Sequence, residues 1–234
     1  MAAAVAGERK VAVAFSGGVD SSVLARCAAK RVQVVACTAY SEGAGDGARA
    51  DGAASALGVD LVTTKLTAQN VREALAAMEL PFEPTLMDKS LWCLFAITAR
   101  SAREAGAGVL LLGQMADELF GGYAKYAGAL ESEGEDAAAS MMDADIRGYA
   151  QRGRIRDVRA VSGWAEPRFP FDEEELVRFA STLPVSFKMR DGVRKAVLRK
   201  AAAILGVPAA QAEAGKKAAQ YSSGVQKLLV GSSF

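Results

Sequence analysis

The sequence predicts an α/β fold: a parallel sheet with helices on both faces, followed by a helical lobe. Short apolar runs alternate with segments whose apolar residues recur at helical spacing, the pattern of strand–helix–strand units. Two chemically dense loops, after Phe15 and after Leu112, each follow such a run, where parallel sheets bind their ligands. Beyond Arg147 the pattern is helical and shows no convincing strand. The 234 residues suffice for a single domain over 1–234, with an α/β core over 10–130 and a helical lobe over 146–234.

Lys10 to Phe15 is mostly apolar and ends in Ser16 and a glycine pair, as expected of a buried parallel strand. Val23, Leu24, Cys27 and Ala28 then mark one face of a helix from Asp20 to Lys30. Val32 to Ala39 reads as the second strand. A glycine-rich loop over Ser41 to Gly47 leads to an alanine-rich helix that closes at Gly58. Leu61 to Thr64 is the third strand and Val71 to Met78 a helix. A long helix from Asp88 to Ala105 stops at Gly106-Ala107-Gly108, and Val109 to Leu112 is the next strand. The acidic, small-residue stretch from Glu131 to Asp145 reads as an exposed or mobile connection.

Composition narrows the chemistry. Hydrophobic residues make up 51% and charged residues 24%, ordinary for a globular protein. No apolar run is long enough to cross a bilayer, and the first ten residues lack the basic-then-apolar order of a secretory signal, so the expected location is cytoplasmic. With 28 basic and 27 acidic side chains, the balance favours a small-molecule substrate over a nucleic-acid backbone. The absence of histidine removes Ser-His-Asp and Cys-His catalysis and most catalytic zinc sites. Cys27, Cys37 and Cys93 form no C-x-x-C pair and read as reduced core residues. Proton transfer falls to Lys, Glu, Asp or Tyr, and any metal to oxygen ligands.

The loop Ser16-Gly17-Gly18-Val19-Asp20-Ser21-Ser22 carries the strongest signal. Two glycines after a strand let several N–H groups face one point, and the following helix adds its positive N-terminal end. The hydroxyls of Ser16, Ser21 and Ser22 can donate to phosphate oxygens. Asp20 would repel a bare phosphate, which points to an intervening Mg²⁺. The Walker pattern is absent. A second segment, Gly113-Gln114-Met115-Ala116-Asp117-Glu118-Leu119-Phe120-Gly121-Gly122-Tyr123, follows a strand and opens a helix, and Asp117 can supply a second carboxylate for Mg²⁺ opposite Asp20.

The first loop resembles the pyrophosphate loop of the ATP pyrophosphatase superfamily. The second segment is similar to the G-x-G-x-D-E-x-F-G-G-Y stretch of asparagine synthetase synthase domains, and more loosely to their β-lactam-forming relatives. Glu166-Pro167-Arg168-Phe169-Pro170-Phe171-Asp172 looks like the family's E-x-R-x-P-F-L-D with the Leu missing. Leu183-Pro184, Lys195-Ala196-Val197-Leu198-Arg199 and the lysine-bearing Lys216 to Gly224 follow in the family's order, so the similarity spans roughly residues 10 to 227.

The resemblance implies a Rossmann-like core of the adenine nucleotide alpha hydrolase kind. It implies an AMP-forming carbon–nitrogen ligase that cleaves ATP between its α and β phosphates, adenylates a small carboxylate and forms an amide. ATP and Mg²⁺ are the implied cofactors. ATP would contact Ala14, Phe15, Ser16, Gly17, Gly18, Asp20, Ser21, Ser22 and Gly113, and Mg²⁺ would sit on Asp20 and Asp117. Lys195, or one of Lys216 and Lys217, would offset charge on the pentavalent phosphorus, and Gln114 would face the second substrate. Arg168 would pair with a structural or a substrate carboxylate.

Departures shape these expectations. Ala2 follows Met1 where glutamine-dependent members carry a catalytic cysteine, which implies a synthase domain without its glutaminase. Nitrogen would then come from ammonia, a partner glutaminase or a substrate amine. Met115 stands where the family has a second glycine, so the backbone is expected to run differently there. Gln114, often Glu in the family, cannot act as a base. Two other readings stand beside the ligase: an RNA- or cofactor-modifying enzyme, including sulfur transfer, and a non-catalytic nucleotide-binding subunit. For the first, Arg147, Arg152, Arg154, Arg156 and Arg159 would form an RNA-binding face, or else a solvated helix paired with Asp143, Asp145 and Asp157. A homo-oligomer is left open.

Overall fold

A computed structural model describes residues 1–215 and 222–231. Its centre is a five-stranded, all-parallel sheet in the order β3-β2-β1-β4-β5. Strands β1 (Lys10–Ala14), β2 (Gln33–Tyr40) and β3 (Asp60–Lys65) alternate with helices α1 (Val19–Ala29), α2 (Asp46–Leu57) and α3 (Ala68–Ala76). Helix α4 (Leu86–Glu104) leads to β4 (Val109–Leu111) and then the short α5 (Ala116–Phe120). Alternation on β1 explains the apolar run: Val11 and Val13 face one core while Ala12 faces the other, so both surfaces are covered. On the first face Val11, Val13, Val34, Ala36 and Leu111 pack under α1 and α2. On the second, Val35, Cys37, Leu110 and Leu112 pack against Phe95, Ile97 and Ala99 of α4.

Chain order reverses between β1, which continues to β2, and β4, which lies on the other flank of β1. That switch point opens a crevice beyond the carboxyl ends of the strands. The loops after β1 and β4, the two singled out by residue type, flank it.

Two readings need correction. The stretch from Glu131 to Asp145 is not a loose connection. It belongs to α6 (Ala124–Glu133) and α7 (Glu135–Gly148), an antiparallel pair broken only at Gly134. Ala138 and Met142 are buried with Tyr126 and Ala129, and this small apolar seam holds helices whose outer surfaces are acidic. Strands also occur beyond Arg147. After a π-turn over Tyr149–Gly153 and helix α8 (Arg154–Ser162), strand β5 (Glu166–Arg168) pairs in parallel with β4 at the sheet edge. Its Glu-Pro-Arg sequence has neither alternation nor β propensity, and proline is tolerated there because an edge strand need not donate on its outer side. After α9 (Glu174–Thr182) and α10 (Val185–Lys188), a small antiparallel hairpin pairs β6 (Met189–Arg190) with β7 (Val193–Arg194). Helices α11 (Ala196–Leu205), α12 (Ala209–Ala212) and α13 (Val225–Gly231) complete the described chain. Among the described residues no helix is long and apolar enough to cross a membrane.

Candidate active site

The loop after β1 is shaped by one glycine in particular. Gly17 has φ +69°, and a Cβ there would lie 2.8 Å from the Arg49 carbonyl oxygen, so this turn excludes any side chain. Arg49 Nε in turn donates to the Ser16 carbonyl at 2.8 Å and pins the loop to α2. Ser21 Oγ accepts from Ser16 N at 3.3 Å and donates to Gly18 O at 3.2 Å, which closes the curl. Gly18 is the N-cap of α1 and offers no capping side chain. The first N–H groups of α1 therefore point out of the helix start uncapped, a setting that receives anions.

The loop after β4 brings a carboxylate to the same place. Met115 takes φ +74°, the left-handed region a glycine would enter freely, so the methionine follows glycine-type backbone at a steric cost. Its side chain is buried in the core, which holds it there. α5 then begins with Asp117 and Glu118 in its first turn.

Lys195 joins the two loops. Also at positive φ, 58°, it sits between the β6–β7 hairpin and α11 with its side chain 3% exposed. Its Nζ donates to Asp20 Oδ1 and Oδ2 at 2.7 and 2.6 Å and lies 2.7 Å from Asp117 Oδ1. Burial alone would lower the lysine pKa, but the two carboxylates outweigh it and hold the ammonium above its ordinary value. Gly122 is required by this packing. A Cβ on it would fall 1.8 Å from Asp117 Oδ1 and 2.4 Å from Lys195 Cε.

Two converging carboxylates at an anion-receptive helix start suit a hard cation shared with phosphate oxygens. Among the described residues no three Asp, Glu or Cys side chains gather as a metal cage. The donor set therefore fits Mg²⁺ arriving with a phosphate ligand, held by Asp20 and Asp117, better than a bare ion.

A second polar network lies behind Gln114. Gln114 Nε2 donates to Asp157 Oδ2 at 2.7 Å, and Tyr149 Oη donates to the same oxygen at 3.2 Å. Arg156 Nε reaches Asp157 Oδ1 at 2.7 Å, and its Nη1 donates to Asp88 Oδ1 at 3.0 Å. Asp157 is fully buried, and burial holds its carboxyl above the ordinary value although Arg156, Gln114 and Tyr149 pull it down. Asp88 closes α4's capping box with Thr85 and also receives Arg152 Nη2 at 2.7 Å. Burial would raise the Asp88 carboxyl too, but Arg152, Thr85 and Arg156 prevail and hold it at about 2.

Because this folded-state value lies below the usual ~3.9 of an unfolded aspartate, its stabilisation is present above that pH and is lost as pH falls towards about 2. Urea midpoints of wild type and Asp88→Asn, compared from pH 6 to pH 2.5, are expected to lie apart at pH 6 and to converge in acid. A constant separation would show that Asp88 is not the group lost.

The structure gathers most of the expected site residues on one cavity of about 690 Å³. Ala14, Phe15, Ser16, Gly18, Asp20, Ser21, Gly113, Gln114, Asp117 and Lys195 line it. Gly17 shapes the loop from behind. Ser22 is fully buried beneath it and does not reach the cavity wall. Lys216 and Lys217 lie outside the described residues. Of the five arginines read as an RNA-binding face, Arg156 is buried between Asp88 and Asp157. Arg152 is half-buried and pairs with Asp88, while Arg147, Arg154 and Arg159 are exposed, Arg154 pairing with Asp172 and Arg159 donating to the Glu79 carbonyl. Arg168 is structural, holding Glu166, Glu8 and the Ala4 carbonyl and so tying β5 to the N-terminal segment. Sequence reasoning misses Asp88 and treats Arg156 and Asp157 only as surface groups. No local pattern marks the three as one buried network, because they meet across α4 and α8.

Fold and site together define a parallel α/β protein of the kind that grips an anionic ligand at its switch point, with acidic and lysine side chains converging over the grip. The chain belongs to the asparagine synthase family, whose profile matches residues 1–165 and 131–231. It is similar to the "Putative asparagine synthetase 1 (glutamine-hydrolyzing)" of Methanocaldococcus jannaschii, at 28% identity over 96% of this chain and 48% of that protein. Asparagine synthetase domain-containing protein 1 of Mus musculus is 30% identical over 62% of this chain and 26% of its own length. A Drosophila melanogaster protein with the same domain description is 32% identical over 43% of this chain and 19% of its own length. The chain thus spans half or less of these relatives.

Proposed function

We propose that the protein is an AMP-forming carbon–nitrogen ligase acting on ATP and a small carboxylate, with ammonia or an amine as the nitrogen source. The observation that carries this reading is the convergence of Asp20, Asp117 and Lys195 beside the uncapped start of α1. That arrangement matches an ATP whose β and γ phosphates lie in the Ser16–Ser22 loop. Mg²⁺ held by Asp20 and Asp117 would neutralise charge on the departing pyrophosphate. Lys195 offsets negative charge at the phosphorus, a role that positioning and electrostatics are able to fill without a covalent protein intermediate. We assign nucleotide grip to the core over 10–130 and part of the remaining wall to the lobe over 146–234, and place the reaction in the cytoplasm.

Sulfur transfer finds little support. Burial pushes the Cys37 and Cys93 thiols up to about 12, far from a reactive thiolate at neutral pH. Burial of Arg156 between Asp88 and Asp157 takes one of the five arginines out of an RNA-binding face.

The test is product analysis with Mg-ATP, ammonium and a panel of carboxylates. AMP and pyrophosphate are expected with one acceptor, and Asp117→Ala should remove that release. ADP and phosphate as products would overturn the reading.

A further inference from the structure

Asp157 has no place in the adenylation step, yet it is fully buried and bonded on both oxygens. A carboxylate beside the permanently charged Arg156 accepts hydrogen bonds and donates none. The Gln114 group facing Asp157 at 2.7 Å must therefore be the –NH₂, which decides the orientation of the carboxamide. Gln114 Oε1 is left on the other side, without a hydrogen-bond partner among the described residues, on a side chain that lines the same cavity as Asp20 and Asp117. Asp157 cannot swing to release the amide, because Arg156 and Tyr149 hold it and Asp88 holds Arg156.

From this geometry we infer that Asp157 is a positioning residue, locking Gln114 so that a lone-pair acceptor faces the second substrate and selects a nucleophile bearing N–H. This rests on the ligase reading and deepens it: the second substrate is ammonia or an amine, not an ionised persulfide, whose terminal sulfur carries no hydrogen for Gln114 Oε1. In the step itself the nitrogen lone pair forms the C–N bond to the acyl carbon of the adenylate. The acyl C–O bond breaks with its electron pair passing to AMP, and one N–H proton leaves to water. Gln114 takes no proton. It accepts a hydrogen bond from the nitrogen and orients the lone pair on the far side.

Asp157→Asn is nearly isosteric but replaces one acceptor by a donor. Its –NH₂ would face Gln114, which turns over and presents its own –NH₂ to the cavity. With ammonium chloride as the probe, the KM for ammonium is expected to rise roughly tenfold or more, while the KM for ATP stays put. Gln114→Met should raise the ammonium KM similarly. Equal ammonium KM in wild type and Asp157→Asn, or a parallel loss in both KM values, would overturn the positioning role.

A second readout does not need turnover. In ¹⁵N spectra the Gln114 side-chain amide, identified by its absence from Gln114→Met, should exchange slowly in wild type and rapidly in Asp157→Asn. Methylamine should shift it in wild type alone. If wild type releases no pyrophosphate, the ligase reading fails, and this spectrum still decides the lock: rapid exchange in wild type, or no shift with methylamine, sinks it.

Discussion

Arg156→Ala is expected to lower unfolding stability by about 3–5 kcal/mol, a large part of the ~5–15 kcal/mol typical of a domain. The guanidinium is 6% exposed and stands between two buried carboxylates, Asp88 and Asp157. Removing it leaves Asp157 with only the neutral donors Gln114 and Tyr149, deep in a medium where an unpaired charge is costly. Asp88 suffers less because Arg152 remains. Urea denaturation at pH 7 measures the loss. Adding Asp157→Asn to the same chain should restore part of it, because the stranded charge is then gone. A single variant losing under about 1 kcal/mol would mean that water or rearrangement replaces the pair.

Lys195→Met should cut pyrophosphate release by roughly 10²–10³-fold, the usual consequence of removing one preorganised charge from a reacting centre. The change keeps most of the side-chain volume but removes the ammonium that bridges Asp20 and Asp117. The variant should also melt below wild type, and Mg²⁺ should raise its melting temperature more than that of wild type. The emptied position between the carboxylates suits a hard cation, and binding to the folded state alone stabilises it. Melting unaffected by Mg²⁺ would argue against Asp20 and Asp117 as a cation site. Full release with a lowered melting temperature would make Lys195 structural only.

Much of this site is legible in the order of residues alone. The Ser16–Ser22 loop follows an apolar run and carries glycines, hydroxyls and a carboxylate within seven residues, a local pattern whose chemistry is readable where it stands. Asp117 and Lys195 are marked by the motifs around them. Three things are not legible. The helices across 131–145 bury only a thin alanine and methionine seam, so acidic composition outweighs a weak periodicity. Strand β5 exists because β4 offers it an edge, and Arg168 fastens it to the N-terminal segment. The Gln114–Asp157 bond joins residues 43 apart in the chain, each ordinary in its own segment.

The parallel α/β class and the phosphate loop follow from the chain's own order, since both rest on short-range patterns: strand and helix periodicity, glycine placement, spacing of a few residues. Three features follow only from the folded arrangement: Lys195 lies between Asp20 and Asp117, Met115 keeps glycine-type backbone, and Arg156 turns inward between Asp88 and Asp157. Each of those depends on packing between elements distant in the chain. Burial, which sets the cost of an unpaired charge and the direction of an amide, is a property of the assembled core and of no single segment.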